Sequence, residues 1–208
     1  MSDTIITRLK AVALITTLKR TPEASSADKL AHDLAAEFDT QGVDTEFIRL
    51  VDHVIKPGVE IDMKNGDEWP QIRKKIMAAD ILIVATPTWV GQMSSELLRA
   101  IERLDAELSE TDDEGRYQTY PKVAAVAIVG NEDGAHKITA DVLQSLNDLG
   151  FTFAANAATY WNGEAMQTTN YLDLKEIPEK VALANKMVAT NTTHLARLLR
   201  GAQYPPVK

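Results

Sequence analysis

Three short polar segments hold the side chains of this sequence that are best suited to chemistry, and each follows directly after an apolar run. The segments are 17–26, 87–92 and 130–136. The runs before them are 11–16, 81–85 and 123–129. Continuously apolar runs are typical of parallel strands that are buried on both faces. Since parallel strands bring their carboxyl ends to one edge of a sheet, we expect the three segments to converge on one binding site.

The first segment is suited to a phosphate group. It contains no glycine, which excludes the dinucleotide-binding and P-loop glycine motifs. It leads into a predicted helix, whose first N–H groups have no partner within the helix and favour an anion. The candidate residues of this segment are Thr17, Lys19, Ser25 and Ser26. The alternative is that Ser25 or Ser26 only caps the helix and that the basic residues are solvated.

The second segment is suited to a flat ring system. Trp89 offers an aromatic face, and Gly91 permits close approach of the backbone. Exposed backbone N–H groups here could bind the polar edge of a heterocycle. The candidate residues are Pro87, Thr88, Trp89, Gly91 and Gln92. The alternative is that Trp89 fills a gap in the core where the next helix begins.

The third segment combines amide, carboxylate and glycine residues. The candidates are Asn131, Glu132, Asp133, Gly134 and His136. Two adjacent carboxylates with no further ligand pattern are weak evidence for a metal, and acidic residues at a helix start explain them better. His136 either faces a ligand or has a structural role. The sequence shows no paired nucleophile and base, so we predict no catalytic side chain and no metal site.

Strand-like and helix-like segments alternate along the chain. The predicted strands are 11–16, 45–50, 81–85, 123–129 and 151–155. The predicted helices are 26–40, 68–79, 94–108, 139–149 and 172–199, the last of them either continuous or in two parts around Pro178. This alternation predicts an α/β fold with a doubly wound, five-stranded parallel sheet, the flavodoxin-like strand order 2-1-3-4-5 and helices on both faces. We expect a single domain over 1–208, with a C-terminal helical extension at about 171–200.

One polar segment, 107–120, interrupts this pattern before the fourth predicted strand. It is rich in acidic residues. It is interpreted either as a solvated loop or as a surface that packs against a second subunit.

Composition narrows the class of protein further. The chain has 208 residues, 45% of them hydrophobic and 25% charged, which is typical of a globular protein with a substantial core. The net charge of −8 argues against nucleic acid as a partner. The longest apolar runs are too short for a membrane helix, and we expect no membrane partner. The absence of cysteine and of a secretory start agrees with a cytoplasmic location.

Several longer segments give the sequence a family resemblance. They are 17–26, 52–60, 66–105, 109–116, 126–136 and 155–166. In combination they make the chain similar to the flavodoxin-like NAD(P)H-dependent FMN reductase and quinone reductase superfamily, and within it to a branch of bacterial flavodoxin-family proteins. Residues 26–27 depart from the family pattern, since Ser-Ala stands where Asn-Thr is expected. Ala27 would therefore contribute its backbone N–H in place of a side-chain hydroxyl.

The resemblance implies a function as well as a fold. FMN would bind with its phosphate at 17–26 and its ring between 87–92 and 130–136. Hydride would pass from NAD(P)H through FMN to a quinone or another small electron acceptor, and the protein would be a homo-oligomer. The alternatives are a flavodoxin-type electron carrier with the same FMN site and a flavin-free binding module on the same fold.

Overall fold

The computed structural model describes residues 7–164 and 167–206, and a five-stranded parallel sheet lies at the centre of this part of the chain. The strands are β1 Leu9–Ile15, β2 Val43–Arg49, β3 Ile81–Pro87, β4 Val123–Gly130 and β5 Thr152–Asn162. The helices are α1 Ser26–Thr40, α2 Trp69–Ala78, α3 Ser95–Leu104, α4 Ala135–Asp148 and α5 Glu179–Gly201. The strand order is β2-β1-β3-β4-β5, which confirms the predicted flavodoxin-like α/β fold.

Helices cover both faces of the sheet, as the continuous apolar strands require. Leu34 of α1 and Val188 of α5 are buried against one face. Ile76 of α2, Leu97 of α3 and Leu146 of α4 are buried against the other. These residues come from helical positions with apolar spacing of three and four, so that each helix buries one stripe and leaves its polar side outside.

The register of the central strands brings their carboxyl ends together. Ile15 at the end of β1 pairs with Ala85 of β3, and Pro87 at the end of β3 pairs with Val129 of β4. Just beyond the last pair, the N–H of Thr88 donates to the carbonyl of Val129 at 2.9 Å. The chain therefore leaves three strands at the same edge of the sheet, where the polar segments begin.

The fifth strand is longer than the predicted 151–155. It continues to Asn162 through a bulge, in which β5 advances from Phe153 to Ala158 while β4 advances only from Ala124 to Val126. Asn156 has a φ of 56°, and the pairing with β4 shifts between Ala124 and Val126. A bulge breaks the alternation by which a strand is recognised in a sequence, so the second half was not predicted. This second half carries Trp161 to the edge of the sheet where the polar segments lie.

The helix boundaries also differ from the predictions. Helix α4 begins at Ala135 rather than 139, because Gly134 turns the chain with a φ of 145°. The final helix begins at Glu179, directly after Pro178, rather than at 172. Helix α3 ends at Leu104 rather than 108, and a 3₁₀ turn follows it.

The polar segment 107–120 is not simply a solvated loop. Glu107 is fully buried and accepts hydrogen bonds from both Nε and Nη2 of Arg73, the latter at 2.9 Å. Farther along, Asp112 binds the guanidinium of Arg116 at 2.8 Å. The solvated interpretation is therefore wrong for the start of this segment, where a buried ion pair ties it to α2.

Candidate functional site

A cavity of about 420 Å³ opens at the carboxyl ends of β1, β3 and β4. Its volume lies in the usual range for small-molecule and cofactor sites. All three predicted segments contribute to its wall. The predicted site residues that line it are Thr17, Lys19, Ser25, Ser26, Ala27, Pro87, Thr88, Trp89 and Asn131.

The remaining predicted site residues lie beside this cavity and do not line it. They are Gly91, Gln92, Glu132, Asp133, Gly134 and His136. Most of them join the second and third segments to each other and to α4. The Lys137 ammonium, for example, donates to the side-chain carbonyl of Gln92 at 2.7 Å. His136 is directed to β5, where its Nε2 lies 3.0 Å from the hydroxyl of Tyr160.

The first segment is held from behind by the end of β2. The Arg49 guanidinium donates to the carbonyls of Glu23 at 2.8 Å and Lys19 at 3.4 Å, and it pairs with Asp28 at 3.0 Å. The carbonyl and the following N–H of a trans peptide point in opposite directions. Because the Glu23 carbonyl is directed to Arg49, the N–H of Ala24 is directed away from Arg49, and Ala24 itself lines the cavity.

A carboxylate holds the middle of the same segment. Asp52 accepts hydrogen bonds from the N–H of Thr21 at 2.9 Å and from its hydroxyl at 2.6 Å. Desolvation opposes ionisation of Asp52, but the two bonds from Thr21 and the charge of Arg49 outweigh it and lower the pKa of this carboxyl. Asp52 is therefore ionised at neutral pH and keeps the loop in one conformation.

The start of α1 offers unpaired N–H groups to the cavity. Ser25 caps the helix, and its hydroxyl accepts from the N–H of Asp28 at 3.5 Å. The capping interpretation of Ser25 is thus confirmed, and it does not compete with an anion site, because a cap satisfies only one of the first N–H groups. Ser26 and Ala27 follow it and line the cavity, together with Lys19.

The second segment forms a tight hairpin at the cavity rim. Trp89 and Gln92 exchange two backbone hydrogen bonds, each of 2.9 Å. The two residues at the tip, Val90 and Gly91, have φ values of 47° and 72°. A β-branched residue rarely adopts this conformation, and such strain is held by the surroundings. Here Glu132 of the third segment accepts a hydrogen bond from the N–H of Val90 at 3.0 Å.

Glycines let the second and third segments approach closely. A Cβ at Gly130 would lie 2.7 Å from the Cβ of Thr88. A Cβ at Gly134 would lie 2.9 Å from the Cα of Gly91. Larger residues would force the two segments apart. Glu132 and Asp133 stabilise the same contact between the two segments. Glu132 binds the N–H of Val90, and Asp133 accepts a hydrogen bond from the N–H of Gly134 at 2.7 Å.

One buried polar atom in the cavity wall lacks a protein partner. The hydroxyl of Thr88 is buried, and it has no hydrogen-bond partner within residues 7–164 and 167–206. A buried hydroxyl without a partner is unfavourable, so it points to a polar ligand atom. A ring with polar edges beside Thr88 and a phosphate beside Ser26 would meet suitable donors at both ends of the cavity. The residues present therefore fit FMN.

Several cavity residues were not predicted. Trp161 was missed because the fifth strand was predicted to end too early. Glu23 and Ala24 lie inside the predicted loop but carry no distinctive side chain for a phosphate. Residues 170–172 also line the cavity, although they lie far along the chain in what was predicted as a helical extension. No local pattern in the sequence indicates that they return to the first segment.

Comparisons with known proteins identify the family of this chain. The sequence model of the NADPH-dependent FMN reductase family matches residues 9–167. A Streptomyces davaonensis protein named 8-demethyl-8-aminoriboflavin-5'-phosphate synthase is 34% identical over 208 aligned residues, covering 94% of this chain and 80% of that protein. The solved structure of RosB with bound 8-demethyl-8-formylriboflavin-5'-phosphate is 33% identical, with a TM-score of 0.86 over 94% of this chain and 82% of that one.

Other similarities are partial or concern the fold alone. A Mycobacterium bovis protein named divalent metal cation transporter MntH is 37% identical over 203 aligned residues, but the chain spans only 29% of its length. In the described part of this chain no helix has the length and apolar content to cross a membrane. An archaeal flavodoxin at 10% identity, with a TM-score of 0.58 over 91% of this chain and 99% of its own, shares the fold. The match over residues 9–167 extends through all three cavity-lining segments, and the chain belongs to the NADPH-dependent FMN reductase family.

Proposed function

We propose that the chain binds FMN in the 420 Å³ cavity and transfers hydride from NAD(P)H to a quinone or another small acceptor. The observation that carries this proposal is that one cavity has donors for a phosphate at one end and a polar and aromatic surface for a ring at the other. One end has the unpaired N–H groups of α1, and the other has the unpartnered hydroxyl of Thr88 beside Trp89.

The phosphate would lie at the start of α1. Backbone and side-chain donors would bind the phosphate oxygens there. They are the N–H groups of Ala24, Ser26 and Ala27, the hydroxyl of Thr17 and the ammonium of Lys19. This local set of donors matters because the chain as a whole has a net charge of −8, which repels anions.

The ring would lie between the second and third segments. Thr88 would donate to, or accept from, its polar edge, and Pro87 and Trp89 would contact its faces. The other predicted residues of these two segments would shape the rim rather than contact the ring. They are Gly91, Gln92, Glu132, Asp133, Gly134 and His136. Trp89 is 50% exposed, so one side of the ring would stay open to a nicotinamide or an acceptor.

When bound, FMN would supply the hydride chemistry, and the protein would supply position and a partly dry site. The titratable side chains in the described cavity wall are Lys19, Glu23 and Tyr171. Hydride transfer needs no side-chain base, and these groups are placed to bind and orient. We also propose that a homo-oligomer covers the open rim, where Val90 is 87% exposed.

Titration of the flavin-free protein with FMN tests the proposal. We expect a shifted flavin spectrum, quenched fluorescence and saturable binding, followed by NAD(P)H oxidation when a quinone is added. Replacing Thr88 by Val removes the unpartnered hydroxyl at nearly constant volume and should weaken FMN binding. Absence of any spectral change at micromolar protein would refute the FMN site.

A second candidate function treats the flavin as substrate. It is favoured by the 34% identity to a protein named 8-demethyl-8-aminoriboflavin-5'-phosphate synthase. Mass spectrometry of the flavin after incubation distinguishes the two. An unchanged flavin with steady NAD(P)H turnover supports the reductase, whereas a flavin of altered mass supports the modifying enzyme. A flavodoxin-type carrier would bind FMN but show no NAD(P)H turnover on its own.

A further inference from the structure

A short segment near the C-terminal helix forms one wall of the cavity. We call residues 170–173 the strap. Asn170, Tyr171 and Leu172 line the cavity, and the strap lies beyond residues 9–167, which the family model matches. Its conformation is fixed internally, because Asn170 and Asp173 cap each other around a single 3₁₀ turn. The strap is therefore an ordered part of the cavity wall that lies outside the segment matched by the family model.

A buried tyrosine docks the strap onto α1. Tyr171 is fully buried, and its hydroxyl donates to the carboxylate of Asp33 at 2.8 Å. The same carboxylate pairs with the Lys29 ammonium at 2.7 Å, and that ammonium lies 4.5 Å from the centre of the Tyr171 ring. On its other side the ring lies 5.6 Å from the ring of Trp161. Burial, followed by the bond to Asp33, raises the pKa of Tyr171, so its hydroxyl remains a donor.

The strap also acts on the start of α1. The N–H of Leu172 donates to the hydroxyl oxygen of Ser26 at 3.3 Å. Because this oxygen then accepts from the strap, its own hydrogen is free to be donated elsewhere. Ser26 lines the cavity, and the next residue, Ala27, has no hydroxyl. The strap thus orients one of the side-chain donors that line the proposed phosphate site.

We propose that the strap is a flavin-retaining wall, and that docking of Tyr171 on Asp33 sets how slowly the flavin leaves. This inference rests on the proposed FMN site. Bound flavin would be enclosed between the first segment and the strap, so its phosphate end can leave only after the strap separates from α1. Tyr171 is a positioning residue here: it acts through the placement of the strap and of Ser26.

The test is the dissociation rate of FMN from the full-length protein, measured by stopped-flow with excess apoflavodoxin as a trap. Tyr171→Phe keeps the ring and removes the bond to Asp33, and we expect dissociation to be about 10-fold faster, as for loss of one hydrogen bond to a charged group. Asp33→Asn keeps an acceptor and removes the charge, and its effect should be smaller. Tyr204→Phe is the control, since Tyr204 is 41% exposed and contacts Thr152 at the opposite end of β5.

Hydrogen exchange gives a second readout that does not depend on turnover. FMN should slow exchange of the amides at 171–174 in the wild-type protein, and Tyr171→Phe should remove this protection while α5 stays protected. Dissociation rates within twofold of wild type in both variants, or no protection of the strap by FMN, would overturn the inference. If the wild-type protein binds no flavin, the proposed function itself fails. Binding with unchanged release rates in the variants refutes only the strap.

Discussion

Replacing Arg49 by Met should weaken the binding of FMN far more than that of riboflavin. Arg49 lies behind the first segment and does not line the flavin cavity, so it would not contact the phosphate itself. Its guanidinium fixes two carbonyls of this segment, those of Glu23 and Lys19, and pairs with Asp28. Without these bonds the carbonyls of Lys19 and Glu23 lose their fixed direction, and so does the N–H of Ala24, although Asp52 still holds Thr21 between them.

The size of the effect follows from the bonds lost. A hydrogen bond from a charged donor contributes about 1.5–3 kcal/mol. The Arg49 side chain is 11% exposed, so little of this is lost to solvent screening. If most of the free energy of one such bond is needed to place the phosphate donors, its loss costs FMN about 2 kcal/mol of binding free energy, which raises the Kd roughly 30-fold. Riboflavin has no phosphate, and we expect its Kd to change less than about threefold.

Fluorescence titration of each variant with both flavins measures this difference. The matched control is Arg197→Met. Arg197 also donates to a backbone carbonyl, that of Gln41 at 2.6 Å, but this carbonyl lies just beyond the C-terminus of α1. The control should bind both flavins like the wild-type protein. Equal losses for FMN and riboflavin in Arg49→Met would refute the reasoning, because they would mean that the whole cavity has changed and not the phosphate end.

Three further predictions concern the rim, the core and pH. Gly134→Ala places a Cβ 2.9 Å from the Cα of Gly91 and should weaken FMN binding about 10-fold, whereas Gly115→Ala, also at a positive φ (82°) but with nothing within 4 Å, should leave it unchanged in the same titration. Arg103→Met leaves the fully buried Asp67 carboxylate unpaired and should lower the free energy of unfolding in urea by about 3–5 kcal/mol, and a loss under about 1 kcal/mol would contradict this. Burial lowers the pKa of Lys122 to about 8. The unfolded chain then binds more protons above that pH, so the free energy of unfolding should rise by about 1 kcal/mol per unit from about pH 8 to about pH 9.5, and Lys122→Met should abolish the rise.

The sequence predicted the sheet well because its signals are local. Continuous apolar runs identify buried parallel strands, and alternating helices impose their order and handedness. Two of the errors occur where the backbone changes direction within a few residues. Asn156 carries the fifth strand through a bulge, and Gly134 starts α4 early. We propose that α5 belongs to the same domain as the sheet, because its Val188 and Ala196 pack in the core with α1.

The candidate site was predictable only in part, for a physical reason. Thr17 and Thr88 lie just beyond the ends of β1 and β3, and Ser26 begins the helix after the first segment, so topology brings the three together. The docking of Tyr171 on Asp33 joins residues far apart in the chain, and no spacing pattern indicates it. Contacts that depend on how a long connection returns across the fold are outside the reach of local patterns.

The crystal structure of the protein with FMN tests the central claim most directly. We predict that the phosphate lies within hydrogen-bonding distance of the N–H groups of Ser26 and Ala27, with a polar edge of the ring on the hydroxyl of Thr88. FMN bound elsewhere, or bound in this cavity with its phosphate directed away from α1, would contradict the account.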